Sequence, residues 1–530
     1  MTLPAPVAPA PDMADQLCPV CRGTRTLRIG NDERICDRCG GSGLGGALGE
    51  ALARIARPDY ARWIDHVGRA GGCEHPIRIR GEVTRVETAT GVVVEQYSTD
   101  DAPDGVLYLP CNNRRASVCP ACSERYRYDT YQLVAAGLRG GKGVPESVAE
   151  HPRVFATLTA PACGPVHAHR TGRNTKVLPC RPRRTHTLCP HGRPTWCMVR
   201  HGRDDSRLGH PLCAECFDYA TAVLFNHHAG ELWRYFTTYL PRELARLTGL
   251  PLTELRTLVK PAYVKVGEYQ RRGLIHLHAV IRLDGTDGQA AAPPVGFTTR
   301  LLSAAVEAAV LRVTVVTATG HRLCFGDQLD IRPIRTGDPS DTTSLQAVAG
   351  YIGKYVTKTV DAPRVPDQRL TEADLDDLRC DDHHARLIRA AWDLGGLPCP
   401  TCADPARRAA LRTAGQPCPG CDGTRRAYPR LRRWAHMLGF GGHVTTKSRR
   451  YSTTMTALRR ARRDHQRAHR AGVPVDQLRD IDTDDTLTVI AHWQYAARGY
   501  RSAGDAWLAL SAASRAREHR QAMRDLAKPF

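Results

Sequence analysis

Two histidines one residue apart, His276 and His278, stand in the apolar run "GLIHLHAVI". A lone imidazole among Leu, Ile and Val is usually a core residue that has found a hydrogen bond. Two at i and i+2 point to the same face if the run is a β-strand, and imidazole is a common metal ligand. Just upstream, "VKVGEYQ" is a second strand-like run, joined to the first by "RRG". That connection suits a three-residue hairpin loop ending in a left-handed glycine. With Gln270 paired to Leu274, Glu268 falls directly opposite His276 and diagonal to His278, on one face. Two imidazoles and one carboxylate, with positions left open, make a divalent-cation site. A phosphate-oxygen substrate favours Mg²⁺ or Mn²⁺ there.

A second group follows in "LQAVAGYIGKYVTKTV". On a helix, Tyr351, Lys354, Tyr355 and Lys358 fall within a ~100° arc of one face. Gly350 and Gly353 leave room for another backbone or a ligand. Only eight of the 75 basic residues are Lys, so finding two of them here indicates a compact point charge rather than a guanidinium fork. Together the two groups specify a chemistry. A Tyr oxygen attacks a scissile phosphate polarised by the cation, and Lys stabilises the developing charge. The product is a phosphotyrosine bond and a free hydroxyl, with no ATP consumed.

The 20 cysteines point to metal rather than disulfides, because no secretory leader is evident. "CPVC…CDRC" gives Cys18, Cys21, Cys36 and Cys39, and "CPTC…CPGC" gives Cys399, Cys402, Cys418 and Cys421. Paired CxxC knuckles of this spacing build tetrahedral structural zinc sites. "CNNRRASVCPAC" supplies Cys111, Cys119 and Cys122, with Cys73 or His75 as the fourth ligand. A fourth site draws on Cys189, Cys197, Cys213 and Cys216, with Cys180, His191, His201 and His210 as competitors. His167 and His169 in "GPVHAHR" form another HxH, but between Pro and Gly it reads as loop.

The chain has 530 residues and a net charge of +21, which favours a polyanionic partner, most simply nucleic acid. Residues 425–470 hold 14 Lys/Arg against one acidic residue. There Arg432, Arg433, Lys447, Arg449, Arg450, Arg459, Arg460, Arg462 and Arg463 are the candidate DNA contacts. No apolar run approaches the ~20 residues that cross a bilayer, and a cytoplasmic protein with no membrane partner is expected. "LRGGKGVPES" lacks the spacing of a phosphate loop, so no helicase is encoded.

"GLIHLHAVI" resembles the HUH motif (His, hydrophobe, His) of rolling-circle replication initiators and relaxases. "YIGKYVTK" is similar to the third motif of the two-tyrosine initiators, and "RVFATLTAPACG" to their first. "NNRRASVCPACSERYR", "HPLCAECFDY" and "GHVTTKSRRYSTT" resemble replication initiators of actinobacterial plasmids and integrative conjugative elements. The resemblance covers residues from about 70 to 460. It implies that His276, His278 and Glu268 hold the catalytic metal and that Tyr351 and Tyr355 are the nucleophiles. It also implies an enzyme that nicks origin DNA, becomes linked to the 5′ phosphate and leaves a 3′ hydroxyl as primer. A host helicase and DNA polymerase would complete the cycle. A conjugative relaxase or single-strand transposase would use the same chemistry. A zinc-rich DNA-binding regulator without catalysis is the reading from another class.

The fold class expected is α+β, a central antiparallel HUH sheet flanked by helices, with small zinc modules and a basic helical carboxyl end. The boundaries expected are a tail and zinc ribbon over 1–45 and a Cys-rich module over 46–150. The nuclease core spans 151–360, with an insertion at about 163–255 and a strand within 323–334. A linker and helix at 361–395, a second ribbon at 396–425 and a basic, mostly helical region at 426–530 follow.

Overall fold

The computed structural model describes residues 26–29, 32–35, 46–172, 175–286, 291–335, 344–361, 368–378, 380–472, 474 and 486–526. Helices and antiparallel sheets are distributed over two units. One combines residues 1–126 with 463–530, and the other spans 127–462. The region expected over 426–530 is therefore divided between them.

In the first unit the strand Ile77–Glu87 lies between Val93–Ser98 and Leu487–Arg498. The last of these corrects the expectation of a helical end. "LTVIAHWQYAAR" is rich in β-branched and aromatic residues, which suit a pleated strand. Its partner lies at the other end of the chain, so local pattern does not disclose the pairing. The helices Gly46–Ile55 and Ala503–Leu526 are joined by a buried ion pair, Arg54 Nε to Asp505 Oδ1 at 2.8 Å. Arg54 also bonds Asp104 at 3.1 Å.

The second unit is built on five antiparallel strands. These are β1 (Arg153–Leu158), β2 (Val259–Tyr269), β3 (Ile275–Gly285), β4 (Leu329–Pro333) and β5 (Thr445–Lys447). Their order is β4-β1-β3-β2-β5, which puts the histidine strand β3 at the centre. The strand expected within 323–334 is β4, shorter than that range. The helix α1 (Tyr219–Thr248) starts on Asp218, whose carboxylate accepts from Thr221 N, and stops at Gly249 with φ +71°. It buries Phe225, Leu232, Trp233, Phe236 and Leu240 along one stripe. Trp233 meets Tyr263 at 5.1 Å between ring centroids. Tyr263 alternates with Glu268, so α1 covers the sheet face opposite the histidines. The helix α2 (Thr299–Arg312) packs on α1.

On the histidine face, α3 (Leu345–Asp361) packs on β2. A Cβ at Gly353 would come within 3.3 Å of Tyr131 Cβ, so this glycine lets α3 approach a neighbouring helix. Lower on the same face Tyr451 is fully buried under Gly137, where a Cβ would lie 2.2 Å from its ring. Arg282 is wholly buried there and paired with Asp284 at 2.6 Å. The helix α4 (Asp382–Leu394) lies against α1.

The β2–β3 turn is clamped from outside the sheet. Asn226, on α1 and fully buried, donates from Nδ2 to Gly273 O at 2.8 Å and Leu438 O at 2.9 Å. Its Oδ1 accepts from Ile275 N at 2.9 Å. Asn226→Ala would leave three buried backbone groups without partners, each worth about 1 kcal/mol or more. We expect chemical denaturation of this variant to show a loss of about 3 kcal/mol. A loss below about 1 kcal/mol would mean that water or relaxation replaces the clamp.

Candidate functional site

The hairpin has the register read from the sequence. Gln270 N donates to Leu274 O at 2.8 Å, and Gly273 closes the turn with φ +76°. His276 pairs with Glu268 and His278 with Val266. On the other side of β3, His278 pairs with Thr157 of β1, and Thr157 in turn with Asp330 of β4. His276, His278, Glu268, Thr157 and Asp330 therefore share one face.

The side chains meet diagonally rather than straight across. His278 Nε2 lies 2.8 Å from Glu268 Oε2, and its Nδ1 lies 3.1 Å from Thr157 Oγ1. With Nε2–H donating to the carboxylate, Nδ1 accepts from the hydroxyl. Were Nε2 given to a cation, Nδ1–H would donate to the same hydroxyl, so Thr157 serves either tautomer. The His276 ring stands 5.9 Å from that of His278. Among the described residues its Nε2, which is buried, has no hydrogen-bond partner. Burial, reinforced by the charges of His278 and Arg272, pushes the His276 pKa down to about 3. It is thus neutral at physiological pH and able to ligate. Full convergence of the three donors, as expected from register, is not reached. Five Cys/His/Asp groups among the described residues bring their donor atoms within 4.8 Å of one another, and Glu268, His276 and His278 are not among them.

Tyr351 of α3 is brought to this face. Its ring meets His278 edge-on at 5.2 Å and Phe155 at 5.6 Å. At 37% exposed, it has one side against the histidines and one toward solvent. Lys354 is exposed one turn on. Tyr355 and Lys358 belong to α3, but their side chains lie outside the described residues. Phe155, Asp330 and Arg332 are additions that the sequence reading missed. Arg332 pairs with Asp330 at 2.9 Å and is electrostatically coupled to Tyr351. The alternation in "LDIRP" carries both charges to one face, a signal that was available.

The cysteine groups assemble as follows. Cys73, Cys111, Cys119 and Cys122 come together, as do Cys399, Cys402, Cys418 and Cys421. A tetrahedral ion with ~2.3 Å metal–sulfur bonds needs sulfurs about 3.8 Å apart. Cys111–Cys122 and Cys119–Cys73 stand at 3.7 and 3.8 Å, and Cys399–Cys418 and Cys402–Cys421 at 3.9 and 3.5 Å. Cys18, Cys21, Cys36 and Cys39 lie outside the described residues.

The insertion holds two groups where one was expected. Cys189, His191, Cys213 and Cys216 form one; His167, Cys180, Cys197 and His201 form the other. Cys197 therefore leaves the set first assigned to it, and His167, read as loop, is a donor from an irregular segment. Cys197 Sγ lies 3.5 Å from His201 Nε2, and His201 Nδ1 lies 2.6 Å from Asp205, a carboxylate that orients the imidazole. Each of the four described groups could hold a metal ion.

The family model described as "RepSA: Replication initiator protein, pSAM2" matches residues 59–514. A curated protein of Streptomyces ambofaciens, "Replication initiator protein", is 40% identical over 492 residues, covering 90% of this chain and 95% of that protein. The chain belongs to the RepSA replication initiator family. No solved structure matches it. Among the described residues, no helix of this RepSA-family chain is long and apolar enough to cross a membrane.

The candidate DNA contacts of the RepSA-family chain divide into two kinds. Arg432 donates to Trp392 O at 3.0 Å and stacks on that indole. Lys447 donates to Ser452 O at 2.9 Å, Arg450 to Thr286 O at 2.9 Å, and Arg462 pairs with Asp129. These four are occupied within the fold, so charge density alone overstated the contact surface. Arg433, Arg449 and Arg463 are exposed and Arg460 is half-buried, while Arg459, also exposed, reaches the same Asp129 at 4.0 Å.

Metal content tests the division of the insertion. We expect the double variant Cys189→Ser/Cys197→Ser of the full chain to lose two equivalents of bound metal by mass spectrometry, each single variant losing one. Loss of only one equivalent by the double variant would return Cys197 to the group of Cys189.

Proposed function

We propose that the chain initiates rolling-circle replication as an HUH tyrosine endonuclease, nicking one strand of its origin DNA. The observation that carries this reading is Tyr351 standing edge-on to His278, which is itself bonded to Glu268. A phenol with a solvent-facing side, next to an imidazole pair and a carboxylate, suits nucleophilic attack on a phosphodiester.

His276, His278 and Glu268 would hold the catalytic Mg²⁺ or Mn²⁺. The fit rests on the buried, unpartnered Nε2 of His276 and on the mixed nitrogen and oxygen donor set. Such a cation, when bound, supplies Lewis-acid polarisation of the scissile phosphate. The chain's own groups do the rest. Thr157 keeps the His278 ring oriented, and Glu268, which bonds His278, would serve as the carboxylate ligand of the cation. The Tyr351 oxygen loses its proton as it bonds phosphorus. The bond from phosphorus to the 3′ oxygen breaks, and that oxygen leaves as a hydroxyl after taking up a proton. Arg332 and Lys354 favour the phenolate and the charge on phosphorus. Tyr355 is the candidate for a second transfer at termination. Zinc is the metal that the four described clusters best suit, in closed structural sites. The released 3′ hydroxyl would prime a host polymerase, with a host helicase opening the duplex.

The test is adduct formation. Full-length protein is incubated with Mn²⁺ and single-stranded DNA from its own coding locus and flanks, and denaturation-resistant adducts are mapped by mass spectrometry. We expect a metal-dependent adduct on Tyr351, and a fall of at least ~10³-fold in Tyr351→Phe. His276→Ala should lose nicking while keeping its melting profile. An adduct confined to Tyr355 would exchange the two tyrosines. Tight DNA binding without any adduct would overturn the reading.

A further inference from the structure

Beside the histidine face lies a cleft of about 920 Å³ that the chemistry above does not use. Its lining comes from four places: the end of β1 at Thr159–Pro161, the hairpin tip at 270–272, the loop before β4 at 324–328, and the insertion. Thr159, Gln270 and Gln328 each lie two residues along the chain from Thr157, Glu268 and Asp330. Arg272 on the lining is also electrostatically coupled to His276, so the cleft adjoins the site face at the strand ends.

Its charge is one-sided. Arg181, Arg203, Arg271 and Arg272 line it, and Asp327 is the one carboxylate on the lining. Arg272 is half-buried at the floor, donating to Pro161 O and Ala160 O at 3.1 Å and to Gln270 Oε1 at 2.7 Å. Among the described residues no carboxylate pairs with it, and such a cation attracts an anion into the cleft. Arg271 anchors the insertion, donating to Arg203 O at 2.7 Å, and Gly209 packs on Arg271 where a Cβ would come within 2.4 Å. Among the described residues the Arg181 and Arg203 guanidinium groups have no hydrogen-bond or ion-pair partner. Both are set in place by the metal-ligand cluster. Arg181 follows Cys180 and exchanges backbone hydrogen bonds with Cys197, and Arg203 follows His201 by two residues. From 163 to 216 the insertion carries ten Lys/Arg against three acidic residues.

We propose that this cleft binds the phosphate backbone of the single DNA strand that runs into the nicking site, with the metal-stapled insertion as its wall. Arg181 and Arg203 would contact phosphates, and Arg272 would supply the field at the floor. The occupant rests on the proposed nicking function; the anion-binding cleft itself does not.

The experiment uses full-length protein carrying Tyr351→Phe and Tyr355→Phe, so that no adduct forms. Binding to a fluorescein-labelled single-stranded (dT)₃₀ is followed by anisotropy over a range of KCl concentrations. We expect Arg181→Ala/Arg203→Ala to weaken binding about tenfold at low salt. The slope of log K against log salt should fall by about 1.4, near 0.7 for each phosphate contact on single strands. Arg181→Lys/Arg203→Lys should keep the slope, and bound metal should be unchanged in both variants. An unchanged slope in the Ala variant overturns the proposal. So does a Lys variant that loses the slope with its metal intact, since the residues would then act by shape rather than charge. Adducts are scored separately with both tyrosines present. No adduct with the salt effect intact sinks the nicking reading alone, whereas adducts with an unchanged slope sink the cleft alone.

Discussion

The register of the β2–β3 hairpin is the constraint on which the site depends. Side chains alternate faces along a strand, so a slip of one residue would move both histidines to the face covered by α1, against Trp233 and Phe236. Gly273 in the left-handed region and the Gln270–Leu274 closure exclude that slip from inside the turn. Asn226 excludes it from outside, since its three hydrogen bonds fit only one placement of Gly273 and Ile275. Because β3 is central, its register is passed on. It sets Thr157 beside His278 and, through β1, Asp330 beside Thr157. One turn thus positions groups drawn from four strands.

The two faces of the sheet solve different problems. The α1 face is mainly apolar, closed by Phe225, Leu232 and Phe236, with the buried Lys265 lying over the Trp233 ring. The other face must keep polar groups available, so its packing is graded. At its lower end Arg282 is fully buried, but Asp284 and the Gly137 carbonyl satisfy it under Tyr451. At its upper end His276 has a buried nitrogen without a partner. A buried guanidinium with its donors satisfied is tolerated within a framework, whereas an imidazole nitrogen buried without a partner costs stability unless a ligand completes it. That contrast between two ends of one face separates framework from site more sharply than residue type does.

Legibility in the sequence followed the range of the interaction. The hairpin was readable because its strands, turn and glycine lie within a score of residues, and the grouping of Cys399, Cys402, Cys418 and Cys421 because each CxxC knuckle is local. The sharing of Cys180, Cys189, Cys197, His167, His191 and His201 between two clusters was not, since the donors alternate along an irregular segment. Spacing cannot order ligands that only the folded loop brings together. The pairing of Leu487–Arg498 with Ile77–Glu87 was hidden for the same reason. Arg432, Lys447, Arg450 and Arg462 show a different limit: sequence gives the sign of a charge but not the carbonyl or carboxylate that occupies it.

The same distinction changes what the net charge of +21 means. A basic total raises the field around the whole molecule, and by itself it favours any polyanion at any surface. Binding in a defined place needs cations that are both held and unpaired, and few satisfy both conditions. Arg462 is held but paired, whereas Arg433 is exposed over the neighbouring Trp434 ring. Among the described residues Arg181 and Arg203 meet both conditions, and the insertion that carries them has two Cys/His groups that could hold metal ions. A segment so poor in apolar residues cannot fix its backbone by burial, and bonds to a held ion would replace it. Rigid backbone with free guanidinium groups is the arrangement that loses least entropy when a phosphate chain arrives. If the proposed cleft holds a strand, the clusters would bear on how it is placed beside the histidine face.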